Sequence, residues 1–446
     1  MQVIEPYIKY LEEFTRQLEY TQDFKNNYKE VENALNGELS KTLRKLVPSQ
    51  ALQEAGAFFT GEGMADELVD FMRESELANF SVLDSACGGG NLLLAFARRL
   101  PLCNTLEATV NAWGQVLHGI DLHNEFVRAT RARLTLLAAL RGILQYGKEF
   151  FDCQVPALEH TFPYIQCADS VSVDTVWPKC NAYLLNPPFN KVAIPEWCKW
   201  GTGRASQAAI FITKCLKEAD EGSIIRAILP DVLRSGSRYN QWRKQIEKLA
   251  SIKGIKILGK FDSKTNVDVF LLTLAIGIPI IHTCPDWLFN TGSGSHTVTI
   301  GAECDVKVGR VVPHRDVEEG PLYPYLDVQN LPQWAEIFPE TAHRNFLGNT
   351  FLTPFVVVRR NSRASDINRA VATLVKSRDN EQNEHVAVEN HLLVLRPKSG
   401  RLEDCKELLC VLRDARTNEW LNERIRCRHL TVGSIQCIPW WTKQTT

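Results

Sequence analysis

The residues with the plainest chemical potential form the run Asn186-Pro187-Pro188-Phe189, which closes the apolar stretch Leu184-Leu185. Two consecutive prolines fix φ, carry no amide hydrogen and steer Asn186 away from the helical region, so a strand arriving here must stop in a rigid loop. Such a loop offers acceptors without competing donors. The Asn186 side-chain oxygen and the Pro187 carbonyl can converge on an amino group, while Phe189 supplies a flat face for stacking. That combination suits a planar, amino-bearing ring. Asn and Pro are also ordinary turn residues, and an isolated Asn-Pro-Pro reads more simply as a strand-terminating turn, so the case rests on what lies upstream.

Upstream, residues 79–84 read as a short buried strand that ends in Asp84 and runs into Ser85-Ala86-Cys87-Gly88-Gly89-Gly90, followed by an apolar helix over 92–100. Strand, glycine turn and helix open a nucleotide-binding α/β unit. The turn lacks the G-x-G-x-x-G spacing, so a dinucleotide is not its natural ligand, and Asp84 is placed to face a cationic group instead. A second strand, 116–121, ends in Asp121, 37 residues after Asp84, with a helix-like insertion at 106–113 accounting for the length. A carboxylate at that strand tip is where Rossmann-like folds accept hydrogen bonds from ribose hydroxyls. A third strand, 164–167, leads to Asp169, and a fourth, 180–185, delivers Asn186. Open α/β sheets bind ligands at the carboxyl edge of their strands, so four polar strand ends in succession would line one crevice.

These strands need supports. Residues 5–47 are charged and helical in pattern, with Tyr7, Leu11, Phe14 and Leu18 and then Tyr28, Val31 and Leu35 at helical spacing, and Pro48 ends the run. A glycine-punctuated loop, 56–63, contains Phe58-Phe59-Thr60 and precedes an amphipathic helix carrying Met64, Leu68, Val69, Phe71 and Met72. Thr60 either caps that helix or lies in a loop whose backbone approaches a ligand closely.

At 446 residues the chain suggests two or three domains, and 44% hydrophobic with 23% charged residues is the composition of a soluble globular protein. The net charge of −1 announces neither nucleic acid nor an anionic membrane, but its distribution is uneven: 341–446 holds 17 Lys+Arg against 11 Asp+Glu, leaving 34 against 41 for the rest. A basic tail on a slightly acidic body fits a module that faces nucleic acid. Arg359, Arg360, Arg363, Arg369, Arg424, Arg426 and Arg428 are its candidate phosphate or base contacts. Thirteen cysteines without a C-x-x-C pair point to a reducing compartment and buried thiols rather than disulfides or a zinc site, and no metal ligand set is expected. Charges in the first turns and the lack of an 18-residue apolar run predict a cytoplasmic protein without a membrane segment.

In order, Phe58-Phe59-Thr60, Asp84-Ser85-Ala86-Cys87-Gly88-Gly89-Gly90, Gly119-Ile120-Asp121, Ala168-Asp169 and Asn186-Pro187-Pro188-Phe189 resemble the successive motifs of the gamma-class N6-adenine-specific DNA methyltransferases of restriction-modification systems. The resemblance covers about residues 50–280. It implies an α/β fold: a Rossmann-like seven-stranded S-adenosylmethionine-dependent methyltransferase domain, with an N-terminal helical segment and a C-terminal α+β DNA-recognition domain. The expected boundaries are 1–50, 51–285 and 286–446. Helices at 207–216 and 239–249 and strands at 222–229, 255–261 and 267–276 would complete the sheet, with 262–266 as a hairpin connection.

Carried over, the resemblance implies that Phe59 and Thr60 border the methionine end of S-adenosyl-L-methionine, and that Asp84, Ala86, Cys87 and Gly88 surround its amino-acid moiety. Asp121 would hold the ribose hydroxyls and Asp169 the adenine amino group of the cofactor. Asn186, Pro187, Pro188 and Phe189 would form the catalytic loop, holding the target amine and stacking on its base. Where the family usually has Pro, Pro and Ser, this chain has Gly61, Ser85 and Gly89, small changes expected to tune cofactor affinity. The implied function is methylation of adenine N6 in a specific double-stranded DNA sequence after base flipping, alongside a separate restriction endonuclease or specificity subunit. The same loop would also hold a cytosine amine, an RNA base or a protein glutamine, and a non-catalytic DNA-binding subunit would keep the same fold.

Overall fold

In the computed structural model, the described residues are 2–17, 28–47, 60–72, 77, 80–147, 150, 157–261, 267–277, 287, 297–329, 331–340, 342–362, 366–378, 384–424 and 429–444. Phe58, Phe59, Arg363, Arg426, Arg428 and the connection at 262–266 lie outside them. The chain divides into two units, 1–230 with 240–285, and 231–239 with 286–446.

The first unit is built on seven strands: β1 (Val82–Asp84), β2 (Leu117–Asp121), β3 (Ile165–Cys167), β4 (Ala182–Leu185), β5 (Ile224–Pro230), β6 (Ala250–Lys260) and β7 (Asp268–Ile276). Their order across the sheet is 3-2-1-4-5-7-6. β1 to β5 run parallel, and β7 enters antiparallel between β5 and β6. Every residue of β1 and β4 is buried, the pattern of parallel strands covered on both faces. Parallel pairing brings the carboxyl ends of β1 to β5 to one edge. The helices of this unit are α1 (Glu5–Gln17), α2 (Tyr28–Leu35), α3 (Glu38–Leu46), α4 (Glu62–Val69), α5 (Asn91–Ala97), α6 (Leu106–Val116), α7 (Asn124–Tyr146), α8 (Gln207–Glu218) and α9 (Asn240–Leu249).

The N-terminal helices share the core of the sheet. Ile8 and Leu11 of α1, Val31 and Leu35 of α2, and Leu39 and Leu43 of α3 are buried in one apolar cluster with Phe126 and Leu134 of α7. Polar contacts reinforce this seat. Arg128 of α7 grips Glu12 with two nitrogens, at 2.7 and 2.6 Å, and reaches Glu5 at 2.8 Å. Paired, half-buried ions of this kind fix orientation more than they add stability.

The second unit contains a five-stranded sheet in the order Cys304–Val308, Leu392–Pro397, Phe355–Arg359, Ala372–Val375 and Glu336–Ile337, and a four-stranded one in the order His343–Asn345, Leu322–Leu326, His385–Val388 and Phe351–Leu352. Helices Leu402–Arg413 and Ala415–Arg424 supply Leu408 and Trp420 to its core, beside Val356, Leu393 and Trp440. Residues 386–395 read in the sequence as one strand, but they belong to two, His385–Val388 and Leu392–Pro397. The Leu392 amide donates to the Glu389 carbonyl at 3.0 Å, closing a turn between them. Segment 231–239 joins this unit, an excursion absent from a continuous 51–285 domain: Arg234, buried, donates to Asp231 (2.8 Å), to the Trp287 carbonyl (3.1 Å) and to the Arg424 carbonyl (2.5 Å).

Among the described residues, no helix is long and apolar enough to cross a membrane, and no group of three His, Cys, Asp or Glu side chains is placed to hold a metal ion. The described cysteines are free thiols, most of them buried.

Candidate active site at the carboxyl edge of the sheet

Sheet register sets the site. Asp84 pairs with Gly119, two residues before Asp121; Asp121 pairs with Cys167, two before Asp169; and Leu83 pairs with Tyr183, three before Asn186. The four polar strand ends therefore stand along one edge. Asp84 is 2% exposed, and burial pushes its carboxyl up to about 8, with the Ala86 amide (3.1 Å) pulling it down and Asp121 adding like charge. Asp121 is also raised by burial, against the amides of His123 and Gly88, each at 2.9 Å. No lysine or arginine pairs with either carboxyl among the described residues. A buried and a half-buried acid without a cationic side chain are suited to a ligand that brings donors and positive charge of its own.

The glycine turn between β1 and α5 is shaped by what surrounds it. Gly90 holds φ at +81° and a Cβ there would stand 2.6 Å from Thr130, so only glycine fits. Ala86 and Gly88 are half-buried, while Cys87 is buried, its thiol raised by burial and by Asp121. A thiol held in that state packs rather than reacts. Asp169 is exposed and accepts from the Val171 amide at 3.0 Å, in a turn of its own.

After β4, Asn186 and Pro188 are half-buried and Pro187 is buried. The Asn186 amide nitrogen donates to Thr60 Oγ1 at 2.7 Å, and its oxygen is buried without a hydrogen-bond partner among the described residues. Thr60 thus does not cap α4, whose N-cap is Gly61 without a side-chain bond. Its hydroxyl holds the loop after β4, and its carbonyl accepts from Asn91 Nδ2 at 2.8 Å. Phe189, half-buried, meets Phe261 edge to face, centroids 5.7 Å apart at 81°. Behind it, Ser206 Oγ donates to the Phe189 carbonyl at 3.2 Å and the Gln207 amide to the Asn190 carbonyl at 2.8 Å.

The structure brings Thr60, Asp84, Ala86, Cys87, Gly88, Asp121, Asp169 and the Asn186–Phe189 loop to this edge. It adds Asn91, Thr130, Arg133 and Phe261, for which a single sequence gives no signal beyond helix or strand membership. Of the tail arginines, Arg369 is 1% exposed and donates inward to Ser362 Oγ (3.2 Å) and the Leu421 carbonyl (3.1 Å). Arg359 and Arg360 donate to the carbonyls of Leu331 and Asn390, and Arg424 stacks on Trp420 at 4.6 Å. Backbone carbonyls, the Ser362 hydroxyl and, for Arg424, the Trp420 ring and the Glu423 carboxylate engage these guanidinium groups, which the basic composition of the tail alone does not reveal. A cavity of about 310 Å³ touches Thr60 and Asn91, but Lys41, Arg44 and Arg98 line it and Asp84, Asp121 and Asn186 do not, so it is distinct from the crevice.

A seven-stranded sheet in the order 3-2-1-4-5-7-6, with a glycine turn after β1 and acids at the tips of β1 and β2, is the fold of the class I S-adenosylmethionine-dependent methyltransferases. The chain is 24% identical over 245 residues to the type II methyltransferase M.PstI of Providencia stuartii, a match covering 53% of this chain and 44% of that protein. The chain therefore spans less than half the length of this curated relative. Solved structures similar to it include the modification subunit of a putative type I restriction enzyme from Vibrio vulnificus YJ016 (21% identity, 54% of this chain and 49% of that one, TM-score 0.39). The type IIG restriction endonuclease BpuSI is another (14% identity, 85% and 58% covered, TM-score 0.41). No protein-family model matches the chain.

Proposed function

We propose that this chain methylates the N6 amino group of adenine in a specific double-stranded DNA sequence, using S-adenosyl-L-methionine, as the modification component of a restriction-modification system in the cytoplasm. The observation that carries this reading is the buried Asn186 oxygen, without a hydrogen-bond partner among the described residues while its amide nitrogen is held by Thr60. An unmet buried acceptor costs about 1–3 kcal/mol, so a donor supplied by substrate is the natural complement. Asp84 and Asp121, which have no Lys or Arg partner among the described residues, support the cofactor assignment in the same way.

Bound at the carboxyl edge, S-adenosyl-L-methionine would supply a methyl group on a cationic sulfur. Asp84 would take its amino group together with the turn at Ala86, Cys87 and Gly88, Asp121 its ribose hydroxyls, and Asp169 its adenine amine, with Phe59 and Thr60 at the methionine end. Asn186 Oδ1 and the Pro187 carbonyl would accept the two amine hydrogens of the target, turning the nitrogen lone pair toward the methyl carbon; Pro188 keeps the loop rigid. An enclosed pocket cannot reach that amine inside a duplex, so the base leaves the stack at a cost of a few kcal/mol, which stacking on Phe189 offsets in part. The second unit, whose stretch 341–446 carries a surplus of basic residues, is the proposed target-recognition domain. A separate endonuclease or specificity subunit would complete the system. Replacing Asn186 by Ala tests the reading: methylation should be lost while S-adenosyl-L-methionine still binds, and normal turnover would overturn it.

A further inference from the structure

Arg133 lies in the middle of α7 and is 1% exposed. Its Nε donates to the Ala34 carbonyl at 2.8 Å, Nη2 to the Leu35 carbonyl at 2.9 Å, and Nη1 to Asn91 Oδ1 at 2.8 Å and to the Gly89 carbonyl. One helical turn earlier, Thr130 Oγ1 donates to the Gly88 carbonyl at 2.9 Å. One face of α7 thus holds two successive carbonyls of the glycine turn.

No carboxylate pairs with Arg133 among the described residues. Ala34 and Leu35 end α2, and the carbonyl end of a helix carries the partial negative charge that a buried guanidinium needs. Burial lowers Arg133 to about 10, which leaves it charged at neutral pH. From α3, Leu39 lies directly against Gly89, so close that a Cβ there would overlap its terminal methyl. A buried cation is a costly way to fill a core position, and an apolar side chain would pack there with less desolvation. Its geometry explains its presence: the fork is met on one side by α2 and on the other by the turn.

We propose that Arg133 is a positioning residue for cofactor binding, through which the N-terminal helices set the glycine turn and, by way of Asn91 and Thr60, the Asn186 amide. The links are continuous. Arg133 holds Asn91 Oδ1, Asn91 Nδ2 holds the Thr60 carbonyl, and Thr60 Oγ1 holds Asn186 Nδ2. This inference rests on the methyltransferase reading above.

Calorimetric titration with S-adenosyl-L-methionine and hydrogen exchange at the amides of 87–90 in ligand-free protein test it together, on wild type, Arg133→Met, Arg133→Lys and Arg128→Met. Arg128 is the control, because it fastens α1 to α7 without touching the turn. Affinity should fall by about tenfold or more in Arg133→Met, less in Arg133→Lys, and stay at the wild-type value in Arg128→Met. Exchange at 87–90 should accelerate in the Arg133 variants alone. If Arg133→Met does not fold, Arg133→Lys, which keeps the charge and loses the fork, carries the comparison. Unchanged affinity and exchange in the Arg133 variants, or equal losses in Arg128→Met, would overturn the inference. A wild-type protein that binds no S-adenosyl-L-methionine would instead overturn the functional reading, with the exchange data still reporting on the turn.

Discussion

The side-chain amide of Asn186 donates to the hydroxyl of Thr60 at 2.7 Å, across 126 residues of sequence. With the nitrogen committed, the amide cannot rotate freely, and its oxygen keeps one direction. A threonine near the start of α4 thus orients the group proposed to receive the substrate amine.

Thr60→Val removes that hydroxyl while keeping shape and the main-chain carbonyl that Asn91 uses. One hydrogen bond of about 1–1.5 kcal/mol is at stake, so kcat for methyl transfer should fall about tenfold, with little change in cofactor affinity. Steady-state kinetics on wild type and variant check this. A variant with wild-type kcat would show that the contact does not orient Asn186 during turnover.

Asp84 sets a pH dependence. Its folded carboxyl is raised to about 8 by burial, above its ordinary value of 3.8. The folded chain therefore holds this proton over a range where the unfolded chain has lost it. The resulting stability is fully present below about 4 and is lost as pH rises through about 8. A cationic ligand favours the ionised carboxyl, so S-adenosyl-L-methionine should bind more tightly as pH rises from about 6 to about 8, with proton release. Titrations in two buffers of different ionisation enthalpy measure that release. Asp84→Asn should abolish it and flatten the pH profile.

Phe189 is proposed to stack on the flipped base. Loss of such stacking costs about 1–3 kcal/mol, so Phe189→Ala should raise KM for DNA by about tenfold, whereas Phe189→Tyr should stay near wild type. Fluorescence of 2-aminopurine at the target position reports the flip directly. An Ala variant with an unchanged KM and an unchanged fluorescence signal would assign Phe189 to packing against Phe261 alone.

Arg369 separates composition from function in the basic tail. Its buried guanidinium serves Ser362 and Leu421, so Arg369→Met should destabilise the second unit by about 1–3 kcal/mol and leave the salt dependence of DNA binding unchanged. Chemical denaturation and binding at several salt concentrations measure the two effects. A shallower salt slope at undiminished stability would place Arg369 on DNA instead.

The elements of the first unit were legible because each carries a local signal: apolar runs for β1, β4 and β7, glycines for the turn, and a polar residue at each strand end. The pairing of those ends follows from parallel order, so the crevice is implied by the sequence. What sequence alone did not reveal depends on partners far apart in the chain. Thr60 reads as a helix cap or as part of a ligand-side loop, and neither reading names its partner, Asn186, which is remote. Arg133 reads as one more base in a helix rich in arginine, because nothing local shows that α2 ends against it. The tail misleads for the same reason. Its arginines suggest a surface, yet Arg369 is a core donor. Residues 386–395 suggest one strand because the turn at Glu389 carries neither glycine nor proline.

The most direct measurement is the fate of a labelled methyl group from S-adenosyl-L-methionine, supplied to the protein with unmethylated DNA, RNA or protein in parallel, followed by digestion to nucleosides and amino acids. Label recovered in N6-methyldeoxyadenosine from DNA, and in neither of the other two, is the expected result. Label in another nucleoside or in protein, or none at all while the cofactor binds, would contradict adenine methylation by this chain.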